Sequence, residues 1–156
     1  MDRFREHKDY WAVLVPELHV RDLAASLSFY CDVIGFQIKF DRPEAGFAYL
    51  ELGQAQIMLD QIPEDELDAW ITAPLEAPLG RGINFQIEVQ DLRSLHKRLE
   101  KADNPLFKSI EEAWYRENDV ENGQIQLLVQ DPDGYLLRFT EYLGTRPAKR
   151  PQPNKS

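Results

Sequence analysis

The sequence predicts an α+β fold made of two βαβββ modules whose strands form a curved mixed sheet around a cavity. Three observations carry this: an internal repeat, an aspartate opening each predicted helix, and turn signals that cut the remaining apolar segments into strands. Residues 14–33, LVPELHVRDLAASLSFYCDV, run from an alternating strand through Val20-Arg21-Asp22-Leu23 into a helical pattern. Residues 83–102, INFQIEVQDLRSLHKRLEKA, do the same 69 residues later through Val89-Gln90-Asp91-Leu92.

Asp22 and Asp91 precede the apolar stripes and are read as N-caps, whose carboxylates accept bonds from otherwise unpaired N–H groups. The stripes are Leu23, Leu27, Tyr30 and Cys31 in the first copy, and Leu92, Leu95, Leu99 and Ala102 in the second. Spacings of three and four place each set on one helix face packed against a sheet. Gly35 closes the first helix as a left-handed C′ residue. Strands follow at about 36–41, 46–52 and 56–61, with a hairpin turn at Gly53-Gln54. The second copy has a weak strand near 106–110, then 124–130 and 135–142, joined by the turn Asp131-Pro132-Asp133-Gly134. One domain is expected over 1–143, with modules at about 12–61 and 83–142. Residues 62–82, with Pro63, Pro74 and Pro78, form a linker anchored by Trp70, and 144–156 form a disordered basic tail.

Strand alternation sorts the side chains into two faces. Ala48, Leu50, Leu52, Ile57, Leu59, Ile83, Phe85, Ile87 and Val89 point to the helices. The opposite face receives Phe47, Tyr49, Glu51, Gln56, Met58, Asp60, Asn84, Gln86 and Glu88, with Val15 and Glu17 from the first strand and Arg138 and Thr140 from the last. Aromatic rings beside convergent polar groups are the expected lining of a ligand pocket. Trp114 and Tyr115, in a loop-rich acidic stretch at 111–122, form its rim.

Composition bounds the partners. The net charge is −9, and without the basic residues of 144–156 the body holds 14 basic and 27 acidic residues, a balance of −13. Such a body repels nucleic acid and anionic membranes and favours a cationic ligand where the charge is concentrated. No apolar run approaches the roughly 20 residues of a membrane span. The charged first nine residues lack a secretory h-region, so a cytoplasmic location is expected. Cys31 has no second cysteine to pair with, and is read as a small buried hydrophobe on a helix.

With the paired modules in place, VRDLAASLSFYCDVIGF and the closing DPDGYLLRF make the chain, over about residues 12–143, resemble the glyoxalase, bleomycin-resistance and extradiol dioxygenase (vicinal oxygen chelate) superfamily. Metal-dependent members hold their ion with four His, Glu or Gln side chains on the concave sheet face. Carried over by motif, those positions are Val15, Met58, Asn84 and Arg138, which are no ligand set for a divalent metal. His7, His19 and His96 lie elsewhere, and a site made of Glu17, Glu51 and Asp60 is the remaining metal alternative. No metal, cofactor or catalytic residue is therefore assigned.

The resemblance is to the bleomycin-resistance branch, which implies a homodimer sequestering a cationic, flat-ringed glycopeptide by stoichiometric capture. The ligand-binding residues implied are Phe47, Tyr49, Glu51, Met58, Asp60, Asn84, Gln86, Glu88, Trp114, Tyr115 and Arg138, with Phe47, Tyr49, Trp114 and Tyr115 as stacking surfaces. Some members stack the drug on a tryptophan just before the seventh strand, where this chain has Asn122-Gly123. Two other readings stand: a lyase or dioxygenase of the same superfamily with an atypical metal site, and a regulatory module for another small molecule.

Overall fold

The computed structural model describes residues 10–65 and 70–149; His7, Arg150 and Lys155 lie outside them. The first module is β1 (Glu17–Val20), α1 (Leu23–Leu27) running into a π-helical segment (Ser28–Ile34), β2 (Gln37–Arg42), β3 (Phe47–Leu52) and β4 (Ala55–Gln61). The second is β5 (Asn84–Glu88), α2 (Leu92–Lys101), β6 (Leu106–Glu117), β7 (Val120–Gln130) and β8 (Leu136–Pro147). Each module makes its own four-stranded mixed sheet, ordered β1-β4-β3-β2 and β5-β8-β7-β6, so there are two sheets of one topology. β1 runs parallel to β4 and β5 to β8, and the other pairs are antiparallel.

Both aspartates cap as expected: Asp22 accepts from the Ala25 N–H at 3.1 Å and Asp91 from that of Ser94 at 2.9 Å. Gly35 takes the left-handed conformation, φ 107°, that ends the first helix. On α2, Leu92, Leu95 and Leu99 are buried, but Ala102 is the exposed C-cap. The first stripe shifts. Ser26, Phe29, Tyr30 and Ile34 are the buried positions, while Leu23, Leu27 and Cys31 are only partly buried. Widening from α to π geometry moves side chains around the axis, which a 3.6-residue period does not anticipate. Burial, and secondarily Asp32, pushes the Cys31 thiol up, so it stays protonated.

One hydrophobic core joins both modules, drawing Leu50 and Leu59 from the first sheet, Leu127 and Phe139 from the second, and Tyr30, Leu95 and Leu99 from the helices. Polar clasps complete the joint. The Tyr30 hydroxyl donates to Asp131 Oδ2 at 2.9 Å, Arg21 Nε meets Asp133 Oδ1 at 2.8 Å, and the Tyr135 hydroxyl donates to the His19 carbonyl at 2.9 Å. Arg98 donates to the carbonyls of Val33 and Ile34, each at 2.9 Å, tying α2 to the end of the first helix.

Several expectations require correction. Trp70 is 85% exposed, and the buried residue of this segment is Leu79, with its N–H bonded to the Asp133 carbonyl at 2.8 Å. Ile83, expected in the core, is half exposed because it lies outside β5. Residues 111–122 are not a loop but the far ends of two long strands turning at Asn118-Asp119. Gly144 to Pro147, expected as the start of the tail, are the last residues of β8, paired with Val120–Gly123. These strands lengthen because each supplies the others' hydrogen-bond partners, a non-local gain that local composition does not report.

Tyr30 and Tyr135 sit in the joint with raised pKa values. Burial is the larger cause for both, followed by the Asp131 charge, and the Tyr135 hydroxyl is pushed up to about 12. The unfolded chain ionises these phenols near 10 and the folded chain does not, so their stabilising contribution is complete below pH 10 and is lost as pH rises through the folded values. Urea unfolding measured from pH 9 to 12 is expected to show falling stability. The fall should be shallower in Tyr30→Phe; an unchanged slope would remove Tyr30 as its source.

Candidate functional site

Each sheet turns one face to the shared core and the other away from it. The outer faces are the candidate site, and strand register fixes what each presents. Across the first sheet His19, Asp60, Phe47 and Arg42 form one row and Glu17, Met58, Tyr49 and Phe40 the next. Across the second, Glu88, Thr140, Gln126 and Glu111 form one row and Gln86, Arg138, Leu128 and Lys108 the next. The two faces therefore differ in chemistry: the first is aromatic with flanking charges, the second is rich in amides and hydroxyls.

On the first face Phe40 stacks on Tyr49 with ring centroids 5.1 Å apart, and Phe47 lies 5.8 Å from Phe40. Trp11, from the segment before β1, packs edge-on to Tyr49 at 5.3 Å and against Phe40 at 6.0 Å. Lys39 Nζ lies 4.7 Å from the Trp11 ring centroid and the Arg42 guanidinium 4.0 Å from that of Phe47, both within cation–π range. Phe47 and Tyr49 are only 6% exposed, so the stacking surfaces expected of them are already covered by neighbouring rings. The rings left open are Phe40 at 37% and Trp11 at 55%.

Gln56, 4% exposed, sits beneath these rings. Its Oε1 accepts from the Tyr49 hydroxyl at 2.7 Å and the Ala12 N–H at 2.8 Å, while its Nε2 donates to the Tyr10 carbonyl at 2.8 Å. Burial is the main reason the Tyr49 hydroxyl is raised in pKa.

On the second face Gln126 is buried. Its Nε2 donates to Glu111 Oε1 and to the Tyr115 hydroxyl, each at 2.8 Å, and its Oε1 accepts from Gln124 at 2.8 Å. Glu111 is held below its usual range by hydrogen bonds from Lys108 and Gln126. Arg138 donates to Gln86 Oε1, and its buried Nε has no partner among the described residues. Asn84, on β5, is exposed.

Tyr115 joins this face but Trp114 does not. In a strand, successive residues point to opposite faces. Trp114 packs over Gly123, where an added Cβ would come within 2.5 Å of the indole, under the Arg146 guanidinium at 4.0 Å. Its Nε1 donates to Glu112 at 2.6 Å. Trp114 is thus part of the β6–β7–β8 extension, on the strand face opposite Tyr115.

The expected concentration of acid is also absent from these faces. Glu51 is paired with Lys39 at 3.0 Å and Glu111 with Lys108 at 2.7 Å, while Arg42 and Arg138 lie among the remaining acids. Glu51 and Glu88 also border a pocket of about 510 Å³ at the seam between modules. There Asp91 and Arg98 are already engaged as helix cap and carbonyl donor.

The register shows which residues lie beside the positions implied for a metal. Met58 pairs with Glu17 and Arg138 with Gln86, two residues later than Val15 and Asn84. One carboxylate, a thioether, an amide and a guanidinium do not fit a resident divalent ion, since Arg offers no lone pair and carries positive charge. No cluster of three His, Cys, Asp or Glu exists among the described residues, and the alternative of Glu17, Glu51 and Asp60 is not one.

Paired βαβββ modules, each with one sheet face turned to a shared core and the other away from it, define the α+β class of this chain. The family model described as Glyoxalase/Bleomycin resistance protein/Dioxygenase superfamily matches residues 12–139, and the chain belongs to that superfamily. A bleomycin resistance protein from Geobacillus stearothermophilus is 26% identical over 139 residues, covering 83% of this chain and 96% of the relative. In fold, the chain is similar to TioX from Micromonospora sp. ML1 (TM-score 0.64, 20% identity, 85% of this chain and 100% of that one). It is similar also to a lactoylglutathione lyase from Agrobacterium tumefaciens (TM-score 0.55, 21% identity, 85% and 95%). Among the described residues no helix is long and apolar enough to cross a membrane.

Proposed function

We propose that this chain captures bleomycin-like, flat-ringed glycopeptides stoichiometrically and without turnover, acting in the cytoplasm as a homodimer. The observation that carries the reading is the pairing of an aromatic face, with Phe40 and Trp11 open, and a face of amides, hydroxyls and the Arg138 guanidinium. Rings bind by stacking and burial, and a glycopeptide's hydroxyls and amides require fixed polar partners. The relatives named bleomycin resistance protein support the ligand class. A net charge of −9 draws a cationic ligand at long range, although the faces themselves are close to balanced.

The open sheet edges support a homodimer. Among the described residues β1 pairs only with β4 and β5 only with β8, and apolar Val13, Leu14 and Ile83 stand exposed just before them. Unpaired edges beside exposed apolar side chains favour pairing with a second chain. In the dimer proposed here, the aromatic face of one copy meets the polar face of the other, enclosing the ligand.

Calorimetric titration with bleomycin, alongside sedimentation and metal analysis of the purified protein, tests this. One drug per chain, a mass of two chains and no stoichiometric iron, zinc or nickel are expected. No heat at high drug concentration overturns capture, and a monomer at working concentration overturns the shared cavity.

A further inference from the structure

We propose that Trp11 is the principal stacking ring of the ligand site and that Gln56 is the residue that positions it; this rests on the reading of the outer faces as a ligand site. Trp11 lies just before the residues that the family model matches, 12–139, so the role belongs to this chain's own N-terminal segment. Of Trp11, Phe40, Phe47 and Tyr49, Trp11 is the most exposed, and Phe47 and Tyr49 have almost no free surface. A flat ligand therefore meets Trp11 first, with Phe40 beside it.

An exposed tryptophan outside the strands stacks well only if it is already held, because ordering it on binding would cost conformational entropy. The side chain of Gln56 holds it from both sides in sequence, accepting from the Ala12 N–H at 2.8 Å and donating to the Tyr10 carbonyl at 2.8 Å. The amide is itself oriented by the Tyr49 hydroxyl at 2.7 Å, so one buried group links the strap to the aromatic floor. The Lys39 ammonium lies over the indole, 4.7 Å from its centroid, and is neutralised by Glu51 at 3.0 Å. The ring is thus braced without placing a net charge against the ligand.

The test uses the full-length protein with bleomycin and, separately, the flat aromatic dye ethidium, each titrated by calorimetry into wild type, Trp11→Ala, Trp11→Phe and Gln56→Met. Because Trp11 is at the surface, its variants are expected to fold as wild type does by circular dichroism. Trp11→Ala should raise Kd about tenfold or more and Trp11→Phe should recover most of the loss. Gln56→Met should weaken binding similarly. In a background where Trp70 and Trp114 are Phe, it should also shift Trp11 emission to the red, a change that loss of a direct ligand contact alone would not produce.

If wild type binds either probe and Trp11→Ala binds it as well or better, Trp11 is not the platform, while capture itself stands. Binding of ethidium without bleomycin removes the drug reading and leaves Trp11 to be judged on the dye. If neither probe binds, there is no stacking site and both proposals fall.

Discussion

Asp131→Ala is expected to cost about 3–5 kcal/mol, because it removes the acceptor for three donors at the joint between the modules. Asp131 is 5% exposed; its Oδ2 accepts from the Tyr30 hydroxyl at 2.9 Å and its Oδ1 from the Asp133 and Tyr135 N–H groups at 2.9 Å each. The Tyr30 hydroxyl is fully buried and would lose its acceptor. Burial raises the Asp131 carboxyl above its ordinary value in spite of those bonds, so part of the loss is offset by relieving a buried charge. At about 2–4 °C per kcal/mol for a chain this size, the melting temperature should fall by roughly 10 °C. Asp131→Asn keeps an acceptor oxygen without the charge and should cost about 1 kcal/mol. Thermal and urea unfolding of the two variants checks this, and equal losses in both would mean that the hydrogen bonds are not what Asp131 contributes.

Most of the fold was legible because its signals are local. Two capping aspartates 69 residues apart, a closing Gly35 and the Asp131–Gly134 turn lie where short-range chemistry demands them. The face of the first sheet was legible only in part. Alternation through Phe36, Ile38 and Phe40 assigns all three to one side. A bulge between Ile38 and Phe40 instead pairs Ile38 with Leu50 on the inner face and Phe40 with Tyr49 on the outer. An extra residue reverses the alternation beyond it, and nothing in FQIKFD marks where it falls.

The place of Trp11 on the aromatic face was not legible for another reason: Trp11 precedes the repeat, and its place depends on Gln56, 45 positions later, whose side chain reads from sequence as one more polar residue on an outer face. Trp114 and Tyr115 were placed together by the opposite route. The acidic composition of 111–122 suggested a loop, in which Trp114 and Tyr115 could share a site, whereas a strand must send them to opposite faces.

Gly134→Ala is expected to be among the most damaging single-methyl changes in the chain, at about 3–5 kcal/mol. A Cβ there would lie 2.4 Å from Pro78 Cβ and 2.7 Å from its Cα, with the Leu79 nitrogen at 3.1 Å, so backbone rather than a flexible side chain must yield. Gly134 also has φ +99°, which an L side chain rarely adopts. Gly82 separates the two effects, since its φ is +90° but an added Cβ meets nothing within 4 Å. Gly82→Ala should therefore show the conformational cost alone, about 1–2 kcal/mol, and the difference between the variants measures the contact of the linker with the turn. That contact carries the buried Leu79 and the bond from its N–H to the Asp133 carbonyl, next to the Asp131 clasp on Tyr30. Displacing Pro78 should loosen the joint between modules as well as the linker, and amide exchange at Leu79 and at the Asp133 and Tyr135 N–H groups should rise together. If unfolding shows the two glycine variants equally stable, the close packing at Gly134 contributes nothing and the linker is only tethered by its ends.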